Sequence, residues 1–104
     1  MIQPELFDIV ELLVNLPNNN QFIGNQGTIV ECYDDGKYEV EFSNEQGETL
    51  ALCTLSTHEF IVVWQSQTQR WLSVSEKLTE ITDNLPASKQ QELFNFARFL
   101  HQVN

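Results

Sequence analysis

Asp34-Asp35-Gly36-Lys37-Tyr38-Glu39-Val40-Glu41-Phe42 decides how this chain folds. Tyr38, Val40 and Phe42 fall on one face of an extended strand, and Glu39 and Glu41 on the other. Asp34-Asp35-Gly36 supplies a hairpin turn just before it. Upstream of the turn, Thr28-Ile29-Val30-Glu31-Cys32-Tyr33 is rich in β-branched and aromatic residues, and reads as the partner strand.

The same texture extends in both directions. Phe7 to Val14 reads as a first strand, followed by a polar loop around Asn18-Asn19-Asn20, residues that suit turns and tolerate positive φ. Ser43 to Gly47 is a turn and Glu48 to Leu55 a fourth strand. Ser56 to Glu59 is a short turn or single 3₁₀ turn, and Phe60 to Val63 a fifth strand. Five short strands with tight turns predict a small closed barrel of SH3-like architecture, since closure removes unprotected edges. Leu50 and Leu52 share one face of the fourth strand, and Ala51, Cys53 and Leu55 the other. Both faces are apolar, so a cover is expected outside the barrel, with the tail the nearest candidate.

Beyond Val63 the periodicity changes. Ser73 and Glu76 fit a capping box. Val74, Leu78, Ile81 and Leu85 then repeat at helical spacing until Pro86. Ser88 and Gln91 can open a second helix, with Leu93, Phe96, Ala97 and Leu100 on one stripe and Phe94 and Phe99 to either side of it. That wide apolar arc implies two neighbours: the first helix plus the barrel, a second subunit, or a different protein. The expected fold is mainly β with an α tail: residues 1–63 an acidic SH3-like β-barrel, 64–72 a linker, and 73–104 a two-helix segment.

The charge divides at the same point. Residues 1–63 hold eleven acids and one base, Lys37, so 1 − 11 = −10; residues 64–104 hold four of each. An acidic surface repels nucleic acid and anionic membrane and attracts basic protein. No run approaches the ~20 apolar residues of a membrane helix. The amino terminus lacks the pattern of a secretory signal, and the two cysteines, Cys32 and Cys53, read as reduced core thiols. A cytoplasmic setting is expected.

Several blocks carry a resemblance: Asp8-x-Val10-x-Leu12, Leu16-Pro17, Gly24-x-x-Gly27-Thr28-Ile29-Val30, Tyr38-Glu39-Val40-Glu41-Phe42 and Gly47-Glu48-Thr49-Leu50. From Leu6 to Val63 the chain resembles a bacterial, notably cyanobacterial, family of small SH3-like barrel proteins of unassigned function. The Asn18-Asn19-Asn20 loop departs from that pattern. The tail, with its Leu85-Pro86 break and Leu93-Phe94-x-Phe96-Ala97-x-Phe99-Leu100, is similar to helical segments of antitoxins from bacterial toxin–antitoxin pairs. Neither resemblance implies a catalytic residue.

No metal or cofactor is expected, because Cys32, Cys53, His58 and His101 lack the spacing of a ligand set. Glu39 and Glu41 project from one strand face with Glu31 beside them, but carboxylate catalysis needs a pocket that a barrel this small does not leave. The expected function is therefore a non-catalytic protein-binding module, such as an antitoxin- or immunity-like inhibitor of a basic partner. Glu31, Glu39, Glu41 and Glu48 would meet the basic surface, and Phe94 and Phe99 would supply apolar anchors. A second reading is a structural or assembly subunit, or a homodimer held by residues 73–104. A third is a carboxylate hydrolase.

Overall fold

The alternation at Tyr38, Val40 and Phe42 becomes the buried face of the central strand in the computed structural model, which describes residues 1–103. The strands are β1 (Ile9–Leu12), β2 (Gln26–Cys32), β3 (Tyr38–Ser43), β4 (Thr49–Leu55), β5 (Phe60–Gln65) and β6 (Arg70–Trp71). The helices are α1 (Val74–Asp83) and α2 (Ala87–Gln102), and Pro17–Asn19 form a 3₁₀ turn. The strands make one antiparallel sheet in the order β4-β3-β2-β1-β5-β6.

Two expectations need correction here. There are six strands, not five, because Arg70 and Trp71 fold back on Gln65 and Trp64. The sheet is not a closed barrel either: β4 and β6 are its edges and do not pair with each other. It is nevertheless strongly curled. Three strand spacings separate β3 from β5, about 14 Å in a flat sheet, yet the Tyr38 and Phe60 rings lie edge to face at 5.8 Å. Register shifts in the β1–β5, β2–β3 and β3–β4 pairings bend the strands. The curl wraps Val10, Leu12, Ile29, Val40, Phe42, Leu55 and Phe60 into one core. Gly27 allows the inner layer to close, since a Cβ there would lie 2.6 Å from Val40 Cγ1 and 2.9 Å from Phe42 Cε1.

A buried carboxylate fixes the entry to the sheet. Asp8 accepts from Glu5 N at 2.9 Å, Ser66 N at 2.8 Å and Ser66 Oγ at 3.0 Å. It thereby ties the amino-terminal turn to the β5–β6 turn, and holds Phe7 between them at φ 70°, a costly value for an aromatic residue.

The tail does not cover β4. Leu50 and Leu52 are 59 % and 54 % exposed, and α1 packs on β5. Nor does α1 bury its apolar row. The residue it buries is Glu80, whose Oε1 accepts from Ile2 N at 2.8 Å, while the Met1 ammonium reaches Asp83 at 3.0 Å. Val74 and Leu78 stay exposed. α1 begins with the expected capping box: Ser73 Oγ accepts from Glu76 N, and Glu76 Oε1 accepts from Ser73 N. α2 departs from expectation. Its cap is Pro86, whose carbonyl accepts from Lys89 and Gln90; Ser88 lies inside the first turn and makes no cap. No described helix is long and apolar enough to cross a membrane.

Candidate functional site

The sheet brings three of the expected acids together. The β2–β3 register places Glu31 directly opposite Glu39. Glu41 lies two residues further along β3, about 7 Å away by strand geometry. Hydroxyls from β4 fix two of these carboxylates: Thr54 Oγ1 donates to Glu39 and Thr49 Oγ1 to Glu41, each at 2.6 Å. Glu48 stands apart in the β3–β4 turn, where it accepts from Asn44 Nδ2 at 3.0 Å.

The acids of this face have no countercharge. Among the described residues the ion pairs are Met1–Asp83, Arg70–Glu76 and Lys89–Glu92, and none involves Glu31, Glu39, Glu41 or Glu48. Their field reaches Tyr33, whose phenol is pushed above its ordinary value by partial desolvation first, then by Glu39, Glu31 and Asp35. Beside the acids lies the bare side of β4. That seven-residue edge strand, Thr49–Leu55, has no charge and no proline. Edges are normally blunted by such residues, and β4 lacks them. Sequence reasoning missed this surface. A lack of Lys and Pro was visible, but edge status depends on strand order, which no local pattern reveals.

The expected apolar anchors lie elsewhere. Phe94 and Phe99 are on α2, which buries none of its residues. Phe94 sits beneath the Arg98 guanidinium, 4.9 Å from the ring centroid, and Phe99 stacks on Phe96 at 6.3 Å. The tryptophans pair across β5 and β6 at 6.3 Å, and Trp71 is exposed.

Other chemistry is sparse. Cys53 is buried, but Cys32 is exposed at the end of β2, contrary to the core reading. Desolvation raises both thiols above their ordinary value, with nearby carboxylates adding to it, which makes them poor nucleophiles. No group of three or more His, Cys, Asp or Glu side chains among the described residues could hold a metal ion. One open depression of about 440 Å³ is lined by amides, Ser43, Phe42 and Leu50. A smaller one of about 180 Å³ has Glu41 as its sole carboxylate.

A family model described as "Domain of unknown function (DUF4926)" matches residues 6–62, which run from the turn before β1 into β5. No curated protein and no solved structure matches the chain.

Proposed function

The chain belongs to the DUF4926 family, and we propose that it is a non-catalytic protein-binding module whose β3–β4 face receives a basic partner. One observation carries this reading: Glu31, Glu39 and Glu41 crowd one sheet face without a cation, beside the bare Leu50 and Leu52 of an open edge. Opposite charge on a partner would steer its encounter and fix its orientation, and the leucines would add apolar area. The strand order and curl are compatible with a partly open SH3-like architecture. Residues 1–63 would form the binding unit and the tail an appendage. The concrete form of the proposal is an antitoxin- or immunity-like inhibitor in the cytoplasm, covering a basic cleft of a protein encoded beside it.

Nucleic acid is disfavoured as a ligand by the same charge. Hydrolysis by paired carboxylates would call for a cleft holding two of them; Glu39 and Glu41 instead accept from threonines on an open face.

Co-expression with the product of the adjacent gene tests the proposal. A stable complex is expected, with association slowed at least tenfold in Glu39→Gln/Glu41→Gln and by added salt. No complex with the wild-type chain would refute the inhibitor reading.

A further inference from the structure

The tail presents a second surface of different chemistry. We infer that it is where two copies of this chain associate, α2 of each lying on the bare apolar row of α1 of the other.

The two helices do not close on each other. Their tie is at the turn, where Gln90 Nε2 donates to the Thr82 carbonyl at 2.8 Å. Further out, each leaves apolar side chains in water: Val74 at 80 % and Leu78 at 45 % on α1, and Phe96 at 58 %, Leu100 at 49 % and Val103 at 63 % on α2. Phe96, Leu100 and Val103 form one stripe at spacings of four and three, flanked by Phe99. α2 is 16 residues long, about 24 Å, long enough to span α1.

Area and charge both point to a second copy. Taking roughly 200 Å² for a whole aromatic side chain, the tail leaves roughly 600 Å² of apolar surface bare per chain, the upper end for a monomer. Two copies covering each other would bury roughly 1,200 Å², which reaches the range of stable interfaces. The −10 of residues 1–63 opposes any pairing through the sheets, whereas residues 64–104 carry four acids and four bases and oppose nothing. Within the tail, α1 carries Glu76, Glu80 and Asp83 against Lys77, and α2 carries Lys89 and Arg98 against Glu92. Arg70 pairs with Glu76 and the Met1 ammonium with Asp83, which offsets the −2 of α1, so no net charge opposes its covering by α2. A basic partner gains no electrostatic advantage on a neutral tail, and this surface is independent of the acidic face.

Sedimentation equilibrium of the full chain tests the inference. One copy weighs 12.0 kDa, and the expected mass is twice that. Phe96→Asp/Leu100→Asp should halve it with no loss of helical circular dichroism, because neither side chain is buried. Leu52→Lys, on the sheet edge, should leave it doubled. A wild-type monomer across the micromolar range would overturn the inference, as would a dimer that survives Phe96→Asp/Leu100→Asp. Either failure leaves binding of a basic partner by the sheet to be judged on its own assay.

Discussion

Removing the Asp8 carboxylate should unhinge the amino-terminal turn from the sheet. In Asp8→Ala, Glu5 N, Ser66 N and Ser66 Oγ all lose their acceptor. Ser66 Oγ keeps a second partner, the Leu6 carbonyl at 2.9 Å, so two backbone donors carry most of the loss. At ~1–3 kcal/mol for each unsatisfied group, and with water reaching part of the site, the expected cost is about 3 kcal/mol. Asp8→Asn separates the two ends of the hub. Its remaining oxygen can still serve Ser66, but its amide faces the Glu5 N–H, so about half the loss is expected. Urea unfolding followed by tryptophan fluorescence reads both, because Trp64 and Trp71 flank the β5–β6 turn. With a denaturant slope of ~1.5 kcal/mol per molar, the midpoint should fall by about 2 M for Ala and about 1 M for Asn. A shift below about 0.5 M for Asp8→Ala, or equal shifts for the two variants, would refute the reasoning.

Three further outcomes are expected. Gly27→Ala should cost about 2 kcal/mol, because the new methyl would press on the fully buried Val40 and on Phe42; thermal melting should show a drop of roughly 10 °C, and an unchanged midpoint would mean the strands separate freely there. The Arg70–Glu76 pair, with bonds of 2.9 and 2.8 Å, holds Glu76 down from 4.5 to about 2, with the Ser73 backbone N–H assisting. A depressed folded value stabilises above the unfolded one, so the stability gap between wild type and Arg70→Gln should be full at neutral pH and vanish as pH falls from 4.5 to about 2; a gap independent of pH would show that the pair does not act through charge. Leu52→Lys should leave stability within ~0.5 kcal/mol and suppress aggregation on heating, measured by light scattering; a large loss of stability would mean Leu52 packs against something.

Local chemistry accounts for the parts of this molecule that were legible before its structure. The Tyr38-Glu39-Val40-Glu41-Phe42 alternation, the turns at Gly36 and Gly47, the Ser73–Glu76 cap and the break at Pro86 all depend on neighbours within a few residues. Strand order does not. β1 pairs with both β2 and β5, which leaves β4 on an edge, without the cover that its two apolar faces led one to expect. The β6 strand was hidden because two residues, Arg70 and Trp71, carry no periodicity. On α1 the apolar row promised the buried face, but the residue the helix buries is Glu80, held by Ile2 N, while Val74 and Leu78 stay exposed and Ile81 and Leu85 are half-buried. The glutamates of the candidate surface were legible as a set through strand alternation, and their lack of cations through the single lysine of residues 1–63. The separation of Phe94 and Phe99 from them was not, since it depends on where α1 docks.

The strap from Ile2 to Glu80 joins positions 78 apart in the chain. During synthesis at ~5–20 residues per second, the arm therefore waits roughly 4–16 s for its acceptor to be made. All six strands precede Glu80 in the chain, so the strap is the last of these contacts that the growing chain can make. A contact made after the rate-limiting step does little to hasten folding; it acts by slowing departure from the native state. An arm joined this late is expected to act as a latch, slowing release of α1 more than it speeds its docking.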